Sequence, residues 1–134
     1  MRLSFEDFTK VLIAQMTDDE RLAGVAYAAE KLLPAGTTIL YPGRRIETRT
    51  DSYLGFIDRN PRANWGHSAR YVIIPRENEE IQSLEARLPP FGSGAHQRWR
   101  VAYQAPTVPN ALVAHPSLDG GLQQIKKTED EYNE

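Results

Sequence analysis

Residues 37–57 have the sequence TTILYPGRRIETRTDSYLGFI, in which the side-chain pattern takes on the two-residue period of a β-strand. Pro42 and Gly43 interrupt this pattern and form the pair that a type II turn favours. The sequence therefore predicts a β-hairpin with strands over 37–41 and 45–50. Residues 53–57 follow and are apolar on both faces, which is typical of a central strand.

Two helices are predicted before this hairpin. Ser4 and Asp7 have the spacing of a capping box, and so do Thr17 and Glu20. The apolar residues of the first helix recur at helical spacing, at Phe5, Phe8, Leu12 and Met16. Those of the second are Leu22, Val25, Ala26, Ala29, Leu32 and Leu33, and Pro34 ends it.

After the hairpin the pattern predicts a strand over 70–75, a helix over 77–88, a strand over 97–103 and a short strand over 111–115. The helix carries Ile81, Leu84 and Leu88 on one face, and Pro89 ends it. We therefore expect an α+β fold, with an antiparallel or mixed sheet of about five strands, N-terminal helices and one further helix packed on one face. Residues 1–116 are predicted to form one domain, and residues 117–134 a C-terminal tail that is partly helical or disordered.

Composition excludes several classes of function. The chain has no cysteine, so it has no disulfide, thiolate metal site or cysteine nucleophile. His67, His96 and His115 lie on separate segments without metal-binding spacing, and no nucleotide-binding glycine motif is present. We expect no metal and no cofactor. No apolar run reaches the ~18 residues of a membrane span, and acids stand near the N-terminus. We therefore expect a cytoplasmic protein that does not contact a membrane.

Positive charge is concentrated in the middle of the chain. Residues 34–76 contain seven arginines against three acids, although the formal net charge of the whole chain is −2. Arginine is well suited to bidentate recognition of phosphate and carboxylate groups and to stacking on rings. The central segment therefore indicates an anion-binding site.

The residues predicted to bind this ligand are Arg44, Arg45, Arg49, Asn64, Trp65, His67, Arg70, Tyr71, Arg98 and Arg100. In this hypothesis Trp65 or Tyr71 stacks on a flat ring, and Arg70 with a hairpin arginine binds phosphate or carboxylate. The alternative is structural: Trp65 anchors the loop in the core, His67 bonds to backbone, and the arginines are solvated.

The arginines on strands raise a further possibility. Arg45 and Arg49 point to one side of their strand, and Arg98 and Arg100 share one side of another. If the two strands are neighbours, the four guanidinium groups form a positive surface that attracts an anionic ligand. The sequence does not give the strand order.

Three functions follow from these patterns. The first is a small non-catalytic binding protein for an anionic, phosphate-bearing ligand such as a nucleotide. The second is a protein interaction module that meets an acidic protein surface or assembles as a homo-oligomer. The third is a hydrolase or transferase in which His67, oriented by Asp58, acts as the base beside Ser68.

Overall fold

The computed structural model describes residues 2–77, 80–91 and 98–114. The elements in these ranges are α1 (Phe5–Gln15), α2 (Asp18–Ala23), β1 (Val25–Ala29), β2 (Thr38–Tyr41), β3 (Arg44–Glu47), β4 (Ser52–Asp58), β5 (Ala69–Pro75), β6 (Gln82–Ala86), β7 (Trp99–Gln104) and a 3₁₀ turn (Asn110–Leu112). Five strands form an antiparallel sheet in the order β6-β5-β4-β1-β7, and β2 and β3 form a second sheet. This confirms the predicted α+β class, the hairpin and the N-terminal helices.

Helix α1 covers one face of the five-stranded sheet. Its capping box is formed as predicted, because Ser4 and Asp7 exchange hydrogen bonds between side chain and backbone. Phe8 and Leu12 are fully buried against β1, β4 and β5. A Cβ atom at Gly55 of β4 would lie only 2.5 Å from Cδ1 of Leu12. Glycine at this position therefore lets the helix pack close to the sheet.

The β2–β3 hairpin covers the opposite face. Ile39, Tyr41 and Ile46 are buried in one cluster with side chains from β1, β4 and β5. Along these three strands, the side chains that contact the hairpin alternate with those that contact α1. All seven residues of β4 and all seven of β5 are buried. The sheet is therefore a central layer, with α1 on one side and the hairpin on the other.

The prediction of a long second helix is wrong beyond Ala23. Residues Val25–Ala29 form strand β1, which pairs with β4 on one side and β7 on the other. A short apolar run buried on both faces fits a buried helix or a buried strand equally well, so periodicity alone does not separate them. A Cβ at Gly24, between α2 and β1, would lie 2.8 Å or less from the carbonyl oxygens of Glu20 and Asp58. Only glycine fits this crossing without a backbone shift.

The predicted helix over 77–88 is also wrong, because this segment contains edge strand β6, which pairs with β5 over five positions. Leu84 and Ala86 pack on the hairpin side of the sheet, while Arg70 and Arg59 on the other side bond to Ser83 and Glu85. The spacing of Ile81, Leu84 and Leu88 that suggested a helix is a coincidence.

The C-terminal predictions are answered only in part. A 3₁₀ turn replaces the predicted strand within residues 111–114, and residues 92–97 and 115–134, including the predicted tail, lie outside the described ranges. None of the helices in those ranges has the length and apolar composition needed to cross a membrane.

The contact between Leu12 and Gly55 predicts a coupled pair of substitutions. Gly55→Ala should lower the free energy of unfolding by about 1–3 kcal/mol through overpacking, and Leu12→Ala by about 2–5 kcal/mol through a cavity. The double variant should lose less than the sum, because the new methyl group enters the space that Leu12 leaves. Urea denaturation measures all three, with exposed Leu40→Ala as a control expected within about 0.5 kcal/mol of wild type. Additive losses would contradict the packing described for α1.

Candidate functional site

A buried carboxylate, that of Glu20, joins three segments of the chain: the start of α2, the residue after β4, and β5. Glu20 is 2% exposed and completes the capping box of α2 with Thr17. Its Oε2 atom accepts hydrogen bonds from Nε of Arg70 at 2.9 Å and from Nε of Arg59 at 2.8 Å, and its Oε1 atom accepts one from Nη2 of Arg70 at 2.8 Å. Burial by itself would raise the pKa of Glu20, but these bonds and that from the Thr17 backbone outweigh burial and lower the pKa to about 2.

The remaining donors of both arginines are also used within the protein. Arg70, which the sequence predicted to bind ligand, donates to Oγ of Ser83 at 2.9 Å and to the carbonyl of Gln15 at 2.8 Å. Arg59 donates to the carboxylate of Glu85 at 2.5 and 2.8 Å and to Ser68 at 2.7 Å. In this structure Arg70 links α1, α2, β5 and β6, and its guanidinium does not face an open surface.

Tyr71 lies on the opposite face of the sheet from Arg70, because neighbouring residues of a strand point in opposite directions. Its ring stacks on that of Tyr41 from the hairpin, with centroids 5.4 Å apart and planes within 5°. Arg44 is the cross-strand partner of Tyr41. The structure thus separates Arg70 from Tyr71 and brings Tyr71 together with the hairpin.

Four buried side-chain atoms have no hydrogen-bond partner in the described part of the chain; one is Nε of Arg76, and the other three belong to the stacked tyrosines and to Arg44, the cross-strand partner of Tyr41. These three are the hydroxyl oxygens of Tyr41 and Tyr71 and Nε of Arg44. We call Tyr41, Arg44 and Tyr71 the donor cluster. Burial raises the pKa of Tyr41 to about 12 and raises that of Tyr71 further, with a contribution from Tyr41. Both phenols are therefore protonated at neutral pH and can donate.

A surface hollow of about 500 Å³ lies beside the turn that joins Tyr41 to Arg44. Its lining comes from the turn, the loop before β5 and the end of β6, namely Pro42, Gly43, Ser68, Glu85, Ala86, Arg87 and Leu88. Gly43 has φ +75°, which a residue with a side chain adopts only with strain. A Cβ built on Gly43 would lie 3.9 Å from Cδ1 of Leu88, so the turn lies close to the residues that follow β6.

The loop before β5 is anchored by His67 and Trp65. Nε2 of His67 lies 2.7 Å from Oδ1 of buried Asp58, and Nδ1 lies 2.8 Å from the carbonyl oxygen of Asn64. Trp65 stacks on the imidazole at 4.3 Å and packs against the hairpin-side core. This is the anchoring arrangement that the structural alternative expected for these two side chains.

The same geometry bears on the hydrolase hypothesis. Both ring nitrogens of His67 face oxygen atoms of the protein, and Oγ of Ser68 accepts a hydrogen bond from Arg59. His67 and Ser68 therefore have different hydrogen-bond partners in this structure.

The other predicted arginines are spread over the surface. Arg45 pairs with Glu47 at 2.8 Å, Arg100 pairs with Glu30 and lies 5.6 Å from the ring centre of Phe5, and Arg49 and Arg98 are exposed. Strands β3 and β7 belong to different sheets. The neighbouring strands that a four-arginine surface requires are therefore not present.

Sequence reasoning missed Glu20 and Tyr41 as members of these clusters. Glu20 was recognised only as a capping residue and Tyr41 only as a strand residue, and the partners of both are distant in sequence. In the described ranges no three acidic or histidine side chains are grouped as a metal site. Comparison of the chain with protein-family models, with curated proteins and with solved structures finds no match.

The Glu20 network predicts a large effect of a small substitution. Glu20→Gln should lower the free energy of unfolding by about 3–5 kcal/mol, because it leaves buried Arg70 without its counter-charge. Glu85→Gln is the matched control, since its side chain is 67% exposed, and its effect should stay within about 1 kcal/mol. Chemical denaturation at neutral pH measures both, and equal losses in the two variants would contradict the assigned role of Glu20.

The lowered pKa of Glu20 predicts a dependence on acid. A carboxylate whose pKa is lower in the folded state stabilises the fold above its unfolded pKa and loses that contribution as pH falls through the folded pKa. A fall from 4.5 to about 2 corresponds to about 3 kcal/mol. Wild type should therefore lose about this much between pH 5 and pH 2 beyond what Glu20→Gln loses. Parallel pH profiles in the two proteins would refute the assignment.

Proposed function

We propose that this protein is a small non-catalytic binding protein whose donor cluster holds an anionic, phosphate-bearing ligand of the nucleotide class. The observation that carries the proposal is the set of three buried donors, in Tyr41, Arg44 and Tyr71, that have no acceptor within residues 2–77, 80–91 and 98–114. A buried donor left unsatisfied costs about 1–3 kcal/mol, so these three, on two stacked tyrosines and the cross-strand partner of one of them, call for an explanation. A ligand with several acceptor oxygens removes this cost.

The chemistry of the cluster favours an anion. Arg44 carries a permanent positive charge, and the phenols of Tyr41 and Tyr71 remain protonated because burial raises their pKa. Three donors of this kind match the oxygens of a phosphate or carboxylate. The permanent charge of Arg44 disfavours an ammonium group or a metal ion at the same place.

The adjoining hollow favours a ligand larger than phosphate alone. Its volume of about 500 Å³ lies within the ~300–1,000 Å³ range of small-molecule sites. Pro42, Ala86 and Leu88 offer apolar contacts to a base, while Ser68 and Arg87 offer polar ones. The donor atoms are covered in the described conformation, so the ligand reaches them when the Pro42–Gly43 turn moves away from β6.

Binding is tested by calorimetry with inorganic phosphate, ADP and adenosine. ADP should bind more tightly than adenosine. Arg44→Ala should lower the affinity for ADP by about 10- to 100-fold, the loss expected for a charge-assisted hydrogen bond. Arg45→Ala is the matched control, because Arg45 is the next residue, is exposed and pairs with Glu47. Its affinity for ADP should equal that of wild type.

Removal of a tyrosine hydroxyl should have opposite effects on the stability of the free protein and on its affinity for ADP. Without ligand, Tyr41→Phe should leave the melting temperature unchanged or raise it, because it removes a buried hydroxyl that has no partner among the described residues. The same variant should bind ADP about fivefold more weakly than wild type, since one hydrogen bond of about 1 kcal/mol to the ligand is lost. The proposal fails if neither phosphate nor ADP binds, or if Arg44→Ala and Arg45→Ala behave alike.

A homo-oligomeric or protein-binding role is the second candidate, supported by two features of the surface. Leu40 of the hairpin is 73% exposed, and β6 and β7 are the outer strands of the five-stranded sheet. Outer strands offer unpaired backbone groups to another chain. Light scattering of wild type and Leu40→Lys tests this role, which predicts a larger mass for wild type; a monomeric mass for both would exclude a stable homo-oligomer.

A further inference from the structure

We propose that the outer edge of β2 is a self-association surface. The β2 strand of a second copy of this chain pairs with it in antiparallel orientation about a twofold axis at Leu40, and the two hairpins form one four-stranded sheet. This dimer is a specific form of the homo-oligomer described above as the second candidate function. It rests on that candidate function and does not depend on the donor cluster.

One edge of β2 has no strand beside it among the described residues, because β2 pairs only with β3 in its two-stranded sheet. The carbonyl oxygen of Thr37 accepts a hydrogen bond from the backbone N–H of Thr48 across the hairpin at 3.0 Å. Backbone groups alternate in direction along an antiparallel strand, so the N–H and C=O groups of Thr38 and Leu40 point away from β3. These are the groups to which an added strand bonds.

The composition of β2 favours a copy of itself as the added strand. Edge strands are commonly protected from pairing with another chain by charged side chains, lysine above all. The outer strands β3, β6 and β7 each contain at least one charged residue, whereas residues 32–43, which include all of β2, contain none. Two copies therefore approach each other at β2 without repulsion between like charges on the paired strands.

Leu40 sets the register of the pair. Its side chain is 73% exposed, more than that of any other large apolar residue in the described ranges. A twofold axis through this position places Leu40 directly opposite Leu40 of the partner subunit, so that each covers the other and every contact occurs twice. In this register two backbone hydrogen bonds join the two Leu40 residues, and Thr38 lies opposite Pro42 of the partner subunit.

A second surface hollow, of about 520 Å³, lies along the same edge of β2. Leu33, Pro34 and Ile39 contribute apolar lining to it, and Thr38 borders it. In the register centred on Leu40, the Pro42–Gly43 turn of the partner subunit passes beside Thr38 and next to this hollow. The dimer therefore covers apolar surface that the single chain leaves exposed.

Cross-linking tests the position of the axis. The chain contains no cysteine, so an introduced cysteine is the only site for a thiol-specific reagent. Leu40→Cys treated with a short bismaleimide should form a covalent dimer, because the two side chains meet at the axis. Leu22→Cys is the matched control, since Leu22 is also an exposed leucine, at 66%, but lies on α2. It should form little covalent dimer at the same protein concentration.

Hydrogen exchange tests the register without altering β2 in wild type. The Thr38 amide should be protected in the wild-type dimer and should exchange at least about tenfold faster in Leu40→Lys, which light scattering should show to be monomeric. The Ile39 amide faces β3 in both states and is the internal reference. Because Leu40 is exposed in the single chain, its substitution should weaken association and leave unfolding of the dilute chain unchanged.

A wild type that is monomeric at every concentration would overturn both the dimer and the second candidate function. A dimeric wild type in which the Thr38 amide exchanges as fast as in Leu40→Lys would overturn the β2 pairing and leave a homo-oligomer with another interface. Equal cross-linking of Leu40→Cys and Leu22→Cys would do the same, and the exchange result decides if Leu40→Cys itself no longer dimerises. None of these results changes the ADP test of the donor cluster.

Discussion

The bidentate ion pair between Glu20 and Arg70, with Arg59 on the same carboxylate, holds α2, β5 and the residue after β4 together. Glu20 caps α2 at its first turn, and Arg70 lies near the start of β5, the strand next to the edge strand β6, so their bond fixes the short helix against the sheet. Gly24 then follows in close contact with the Asp58 carbonyl, which sets where β1 begins beside β4. Through Arg59 the same carboxylate also holds the start of the loop that leads to His67. A buried ion pair adds little net stability, but removing one partner is severe, and this asymmetry makes Glu20 a positional constraint.

The arginine-rich middle of the chain therefore serves two separate purposes. Arg59 and Arg70 are used in the network around Glu20, on the side of the sheet that α1 covers. Arg44 lies with Tyr41 and Tyr71 on the hairpin side, where its Nε atom lacks an acceptor in the described ranges. Charge concentration in a sequence thus marks a region but does not say which guanidinium groups are available. In this protein availability depends on which side of the sheet each arginine occupies.

The parts of the fold that depend on local signals could be predicted from the sequence. Capping boxes at Ser4 and Thr17 and the turn at Pro42 act within a few residues, and all three are present. Strands β1 and β6 were predicted as helices because local sequence does not show which strands they pair with. The apolar run of β1 and the chance spacing of three and four residues around β6 carry no information about these partners. The separation of Arg70 from Tyr71 could have been predicted from the sequence, since the predicted strand over 70–75 already places neighbouring residues on opposite faces. The partners of Glu20 and the stack of Tyr41 on Tyr71 could not be predicted, because these contacts join residues 30 to 50 positions apart in the sequence.

The Nε–H resonance of Arg44 reports directly on the anion site that we propose at the donor cluster. This proton is buried and has no acceptor among the described residues, so its ¹H–¹⁵N signal in the free protein should lie upfield of those of the paired arginines. Titration with ADP should move the signal downfield as a phosphate oxygen accepts the hydrogen bond, and adenosine should leave it in place. An Arg44 Nε–H signal that stays unchanged at saturating ADP, whether or not other resonances shift, would contradict the account.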